Sequence, residues 1–269
     1  MTTNPDTWVY GDFAPDPASR DLPGLKAQWL LEQLPAAAAP LVLDFGAGEG
    51  KHLHLVRAAR PQARLVGVDV RPLHTQVDFE FHQVAVNAPL PFAADTYDLV
   101  ISCDVLEHVA SLDQSLDEIH RVLRSGGSFI GFVPAEGGPG AHALFRLLNP
   151  AVYRDTKDHN HAYTRRELVD RFSSRFRIVR LAYSYHLLGA TLDATFFASF
   201  KIPVLGARLE KFWRGQENDF YRKRAAAQTK RSLASRLAQL ANRAAYYESR
   251  LLKNLPLGAK GLHFCLQKR

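Results

Sequence analysis

The stretch from Leu41 to Leu53, LVLDFGAGEGKHL, carries the sharpest chemical signal in the chain. An apolar run leads into Asp44, and Gly46, Gly48 and Gly50 then turn the backbone before a helix opens near Lys51. Glycines let a backbone approach a ligand closely at the carboxyl end of a first strand, where open α/β sheets bind nucleotides. Asp69 stands 19 residues after Gly50, at the end of the second apolar run. A carboxylate there can accept both hydrogen bonds of a ribose diol. A dinucleotide fingerprint needs a small residue at position 51, where Lys51 stands, so a nicotinamide cofactor is disfavoured.

Two further stretches hold reactive side chains. SCDVLEHV at 102–109 brings Cys103, Asp104, Glu107 and His108 to the end of another apolar run, and TKDHNHAYT at 156–164 supplies Asp158, His159 and His161. An imidazole titrates near neutrality and suits the removal of a hydroxyl proton; His161 is the first candidate and His159 the second, against the alternative of hydrogen-bonded surface histidines. A metal site built from these neighbours would still need distant ligands. Cys103 invites a covalent mechanism, but no Pro precedes it and no second cysteine follows the fifth strand, which suits a small apolar residue at a strand end.

Positioning these groups requires alternating strands and helices. Apolar runs predict strands at 41–45, 65–69, 82–86, 98–103 and 128–133, with helical periodicity between them, so the fold class is α/β. Leu112, Leu116, Ile119 and Leu123 recur at helical spacing behind a Ser111 cap, and Thr164 with Glu167 forms a capping box. Residues 177–186 alternate as a strand, and 262–267 can pair with it as an antiparallel edge. About 75 residues separate the two, far beyond a hairpin loop of roughly 2–5, so they form structure of their own. The expected organisation is a core of 1–186 plus 261–269 and a helical insertion at 187–260. Within the insertion, 187–206 is apolar but broken by Asp193, Lys201 and Pro203, short of the roughly 18 residues a spanning helix needs. Leu233, Leu237, Leu240, Ala244, Tyr247 and Leu251 then form one apolar seam, with Arg236, Arg243 and Arg250 in a stripe beside it.

The 269 residues allow one large domain with an attachment, and 46% hydrophobic with 23% charged residues excludes disordered and membrane-embedded classes. Two cysteines build neither a disulfide framework nor a four-cysteine zinc site, and the N-terminal stretch lacks the pattern of a leader, so the expected location is cytoplasmic. The net charge of +7 is unevenly placed: residues 1–200 hold 18 Lys+Arg against 23 Asp+Glu, giving −5, and residues 201–260 hold 14 against 4, giving +10. Lys268 and Arg269 supply the remaining +2. A basic segment on an acidic body suggests an anionic partner, or a solvated helix face.

Taken together, LDFGAGEG, VGVDV, LPFAADTYDLVISCDVLEHV and RVLRSGG, in this order over about 40–134, resemble the class I S-adenosylmethionine-dependent methyltransferases. The resemblance implies a doubly wound, mostly parallel, seven-stranded Rossmann-like sheet with the helical insertion before the last antiparallel strand. It implies S-adenosyl-L-methionine as cofactor, with Asp44, Phe45, Gly46, Ala47 and Gly48 in its loop and Asp44 fixing that loop. Asp69 would hold the ribose, and Val70 and Arg71 would flank the adenine. Asn87 stands in for the acidic residue that the family places before LPF. The Cys103 and Asp104 backbone would border the sulfonium, and His108 would close the pocket, with Glu107 and His108 bracing the loop or acting as base.

The fourth strand ends in CDVL rather than the Asn/Asp-Pro-Pro-aromatic pattern of adenine or glutamine methylation, which leaves methyl transfer to oxygen on a small-molecule, sugar or lipid-linked acceptor as the expected reaction. Phe196, Phe197, Phe200, Phe212 and Trp213 beside the arginines of the insertion suit an anionic membrane surface, peripheral to its inner face. The seam equally suits the core or a homodimer. An RNA-directed enzyme has Phe220, Tyr246 and Tyr247 for stacking but no recognised RNA-binding module, which disfavours nucleic acid. A cofactor-binding regulatory protein without catalysis is the remaining alternative.

Overall fold

A computed structural model describes residues 16–74, 76–137, 161–199, 233–256 and 258–269, with the single positions 143, 147 and 206. His159, Phe200, Phe212, Trp213 and Phe220 lie outside the described residues, as do the side chains of Phe196, Phe197 and Arg236.

A helix, α1 (Leu22–Glu32), precedes the first strand, β1 (Leu41–Phe45). Then come α2 (Lys51–Ala59), β2 (Arg64–Asp69), β3 (Glu80–Gln83), β4 (Tyr97–Cys103), α3 (Leu112–Val122), β5 (Leu123–Pro134), α4 (Arg165–Ser173) and β6 (Phe176–Ser184). Two helices, α5 (Leu187–Ser199) and α6 (Leu233–Leu251), stand before β7 (Gly261–Lys268). The seven strands form one sheet in the order β3-β2-β1-β4-β5-β7-β6. The first five run parallel, and β7 is antiparallel to both β5 and β6.

The local chemistry explains the elements. The Asp21 side chain caps α1 by accepting from the Gly24 N–H at 2.8 Å, and Pro23 follows in the first turn, where its missing N–H costs nothing. Ser111 caps α3, whose Leu112, Leu116, Ile119 and Val122 are buried on one face. Both halves of the capping box at Thr164 and Glu167 are formed. Helices cover both faces of the sheet: α3 and α4 close one core around Phe129, Phe172, Phe176 and Phe264, and α1 and α2 close the other around Leu30, Val42, Leu53 and Ile101.

Three sequence expectations shift. The strand expected at 82–86 occupies Glu80–Gln83, because Asn87 adopts a left-handed φ of 59° and turns the chain through Ala85–Ala88. The C-terminal strand is interior rather than an edge, which accounts for the unbroken burial of Leu262 to Leu266; β6 is the edge. The seam of α6 does not face the core: Leu240, Tyr247 and Leu251 are exposed, and Ala245, Tyr246 and Ser249 are the buried face. Among the described residues no helix is long and apolar enough to cross a membrane.

His263 of β7 is buried, with its Nε2 2.9 Å from Ser184 Oγ, and burial pushes its pKa down to about 3. The unfolded chain binds that proton at its ordinary pKa of about 6.5, so acid favours unfolding as pH falls from there toward 3. By pH 5 this single group should remove about 2 kcal/mol of stability. Urea melts at pH 5 and 7 check it: His263→Gln should lose that part of the pH dependence, and an unchanged slope would show that His263 is not the titrating group.

Candidate cofactor crevice and acceptor site

The crevice lies at the carboxyl ends of β1, β2 and β4, where the parallel part of the sheet opens. Val68 carbonyl oxygen accepts from the Gly46 and Ala47 N–H groups, both at 2.9 Å, and Asp69 Oδ2 accepts from the Gly48 N–H at 2.8 Å. Asp69 Oδ1 accepts from the Arg71 N–H at 2.9 Å. The carboxylate therefore fastens the loop as well as facing the crevice, with further lone pairs on both oxygens for a ligand. The Gly46 φ of 82° and the Val105 methyls against its Cα leave no place for a side chain, whereas a Cβ on Gly48 would meet nothing within 4 Å. Val70 is exposed beside Asp69, and the half-exposed Arg71 guanidinium pairs with it, Nε lying 3.6 Å from Asp69 Oδ1.

Asp44 is fully buried beneath the loop, and neither carboxylate oxygen makes a hydrogen bond among the described residues. His52 Nδ1 of α2 lies 3.5 Å from its Oδ2. The hydrogen bonds that fix the loop come from Val68 and Asp69, not from Asp44. A carboxylate held under the loop instead favours a cationic ligand above it, which fits a group bearing an ammonium and a sulfonium. Asn87, expected at the adenine, sits exposed on the turn after β3, and its left-handed backbone accounts for its residue type.

At the end of β4, Asp104 has a left-handed φ of 57° and both its oxygens accept from Lys26 Nζ of α1 at 2.7 Å. Burial works against its charge, but Lys26 and Lys51 overcome burial and hold the Asp104 pKa down to about 2. The Lys26 ammonium also lies 3.8 Å above the Phe132 ring, and Asp104 helps keep it charged despite burial. Cys103 is buried and its pKa is pushed up to about 12 by burial and the nearby carboxylates, so it is a thiol and not a nucleophile.

Glu107 lies just past the end of β4. Its carboxyl is buried, and burial together with Asp104 and Glu136 raises its pKa well above the ordinary range. His108 Nε2 lies 3.9 Å from Glu107 Oε1, and the His161 backbone N–H donates to the Glu107 carbonyl oxygen at 3.2 Å, so Glu107 holds the backbone of His161 and not its imidazole. His161 is exposed, with its ring 5.2 Å from that of Tyr163. Sequence reasoning missed the partners supplied from elsewhere. Glu136, just past β5, forms a buried ion pair at 2.7 Å with Lys260, just before β7. Both ammonium groups lie over the Tyr185 ring, Lys26 at 5.9 Å and Lys260 at 5.2 Å from its centroid. The position of Glu136 at a strand's carboxyl end was a usable signal; Lys26, Tyr185 and Lys260 had none in the sequence.

Residues 43–131 match the family model described as a methyltransferase domain. These residues span the glycine loop, Asp69 and the whole of β4, the parts just described as the crevice. Residues 43–131 are thus a methyltransferase domain of the class I S-adenosylmethionine-dependent type.

A probable S-adenosylmethionine-dependent methyltransferase of Mycolicibacterium smegmatis is 35% identical over 101 residues, covering 35% of this chain and 37% of that protein. The mitochondrial arginine-hydroxylase NDUFAF5 of Rattus norvegicus is 32% identical over 96 residues, covering 34% of this chain and 28% of its own length. The chain thus spans well under half the length of these curated relatives. Geranyl diphosphate C-methyltransferase from Streptomyces coelicolor A3(2), solved with S-adenosyl-L-homocysteine, shares the fold with a TM-score of 0.53 at 14% identity, covering 91% of this chain and 80% of that one. That likeness covers far more of the chain than the matched 43–131.

Proposed function

We propose that the chain transfers the methyl group of S-adenosyl-L-methionine to an oxygen atom of a small-molecule, sugar or lipid-linked acceptor. The observation that carries this reading is the convergence of the Asp69-fastened loop with the polar cluster around Glu107. The bound cofactor supplies an electrophilic methyl carbon on a sulfonium. Around it, Gly46 and Gly48 admit the ligand backbone-close, Asp69 takes the ribose hydroxyls, and Val70 offers an apolar surface to the adenine. Asp104 places a negative charge by the sulfonium, and Lys26 keeps that carboxylate in place.

The rest of the reaction needs an oriented hydroxyl and a place for its proton. His161 and His108 are the groups proposed to take it, with Glu107 fixing the segment that carries His161 through its backbone carbonyl. The β4 ending Cys103-Asp104-Val105-Leu106 lacks the prolines of amino-group methylation, which supports oxygen as the acceptor atom. Exposed Leu240, Tyr247 and Leu251 beside exposed Arg243 and Arg250 on α6 support delivery of the acceptor from an anionic membrane surface, with a dimer contact as the competing use of the same seam.

Calorimetry with S-adenosylmethionine and S-adenosylhomocysteine tests the first half of the reading: micromolar binding of both is expected, and binding weaker than millimolar would sink it. Mass spectrometry of products after incubation with cell extract tests the second. A gain of one methyl group on an oxygen is the expected product. Hydroxylation, as in the name of one relative, or no product from a protein that binds the cofactor, would overturn methyl transfer while leaving the crevice intact.

A further inference from the structure

On the α1 side of the sheet, away from the glycine loop, α1, β6, β7 and the end of α6 enclose an open cleft of about 430 Å³, solvent-facing space included. Its walls include Trp29 and Glu32 of α1, Arg180 of β6, His263 of β7, and Arg250 and Lys253 at the end of α6. Three cations thus face one carboxylate, a balance of +2 with His263 neutral. Arg180 is stacked 4.9 Å over the Trp29 ring and meets Glu32 at 3.2 Å. Arg250 donates to the Tyr246 hydroxyl at 3.1 Å, which itself donates to Gln28 Oε1 at 3.1 Å, so a tyrosine and not a carboxylate orients that guanidinium. Among the described residues, neither Arg250 nor Lys253 has an ion-pair partner.

The wall behind these cations holds a second observation. Trp29 Nε1 and His263 Nδ1 are buried and make no hydrogen bond among the described residues, in side chains that are 7% and 2% exposed. Indole N–H is a donor only. The fully buried Ser184 hydroxyl lies 2.9 Å from His263 Nε2, and the imidazole tautomer sets which of the two donates. One donor dipole without an acceptor, the Trp29 indole N–H, therefore belongs to a residue lining a cleft whose rim already carries excess positive charge. Buried donors are rarely left without a compensating acceptor or field, and here the indole N–H adds to a positive potential that an oxyanion would neutralise.

We propose that this cleft binds a phosphate group, separate from the cofactor crevice. Arg180 and Arg250 present planar forks suited to paired phosphate oxygens, Lys253 adds a mobile point charge, and exposed Glu32 is the group that swings aside. The same chemistry recognises a free phosphate or the headgroup of a phosphatidic acid lipid. The position of Arg250 within the basic stripe of α6 gives that stripe a specific use in place of a diffuse one.

Trp8→Phe with Trp213→Phe leaves Trp29 as the single indole of the full chain and makes it the reporter. Inorganic phosphate and pyrophosphate are titrated at fixed ionic strength, and phosphatidylcholine vesicles are titrated with and without phosphatidic acid. A saturable fluorescence change with the free anions supports the site with a soluble ligand. A change with phosphatidic acid vesicles alone supports it with a lipid headgroup. Adding Arg250→Gln and Lys253→Gln should raise the midpoint at least tenfold with the melting temperature and the S-adenosylhomocysteine affinity unchanged. No saturable change in any arm, or the same midpoint in the double variant, overturns the proposal. Because the cofactor arm is measured separately, that outcome is independent of the methyltransferase reading.

Discussion

Replacing Asp69 with Ala should weaken S-adenosylhomocysteine binding roughly 100- to 1000-fold, which corresponds to about 3–4 kcal/mol. Two effects add. The hydrogen bonds from a ribose diol to a carboxylate are charge-assisted and together are worth about 1.5–3 kcal/mol. The same carboxylate also accepts from the Gly48 N–H at 2.8 Å and the Arg71 N–H at 2.9 Å, so its loss releases the loop that must sit against the ligand. Asp69→Asn separates the two. It keeps one oxygen for the Gly48 N–H but removes the charge, and it should cost about tenfold. Calorimetry on the three proteins decides the matter. If Asp69→Ala binds as tightly as the parent, the ribose is held elsewhere.

Three strands of the parallel half, β1, β2 and β4, were legible because each is a short apolar run closed by a residue with a job: Asp44, Asp69, Cys103-Asp104. Period and punctuation agree there, and β1, β2 and β4 fall within a residue of expectation; β3 is cut short by the turn at Asn87, and β5 starts at Leu123, ahead of the expected 128, taking a residue expected in the helix before it. The antiparallel end was less legible. LHFCLQ reads as a strand, but its burial between β5 and β6 follows from pairing over long sequence separation, which local pattern does not encode. On α6 the leucines announced a packed seam, yet the alanine, tyrosine and serine of the opposite face make the contact, because α1 and β6 leave room only for small side chains and one ring. The cofactor side of the site was likewise local, a loop and the strand ends beside it. The polar cluster around Glu107 is assembled from α1, the ends of β4 and β5, and the segments flanking α5 and α6. Lys26 could not be found by reading near Asp104, since 78 residues separate the pair.

That pair yields the second large effect. Lys26 Nζ donates to both oxygens of Asp104 at 2.7 Å, and only about a third of the Asp104 side chain reaches water. The Asp104 pKa, held near 2, lies below its unfolded value, so its contribution is present above about pH 4 and fades as pH falls through 2. The Lys26 pKa is raised, so its contribution is complete below its unfolded value of about 10.4 and is lost only above that. At neutral pH both are charged, and Lys26→Met would leave Asp104 half-buried without its counter-ion. A fully buried pair broken in this way costs roughly 3–5 kcal/mol, and partial solvation of Asp104 reduces that to about 2–3 kcal/mol. Adding Asp104→Asn to Lys26→Met should restore most of the loss, because the uncompensated charge is gone. The functional consequence is separate and has its own sign. S-adenosylmethionine carries a sulfonium that S-adenosylhomocysteine lacks, so a carboxylate at the end of β4 favours the first over the second. Asp104→Asn should therefore weaken S-adenosylmethionine by about 1 kcal/mol, roughly fivefold, with little change for S-adenosylhomocysteine. Lys26→Met should shift the ratio the other way, since it unmasks the same negative charge. Equal losses for both nucleotides in Asp104→Asn would mean that the residue shapes the crevice without acting on the sulfonium.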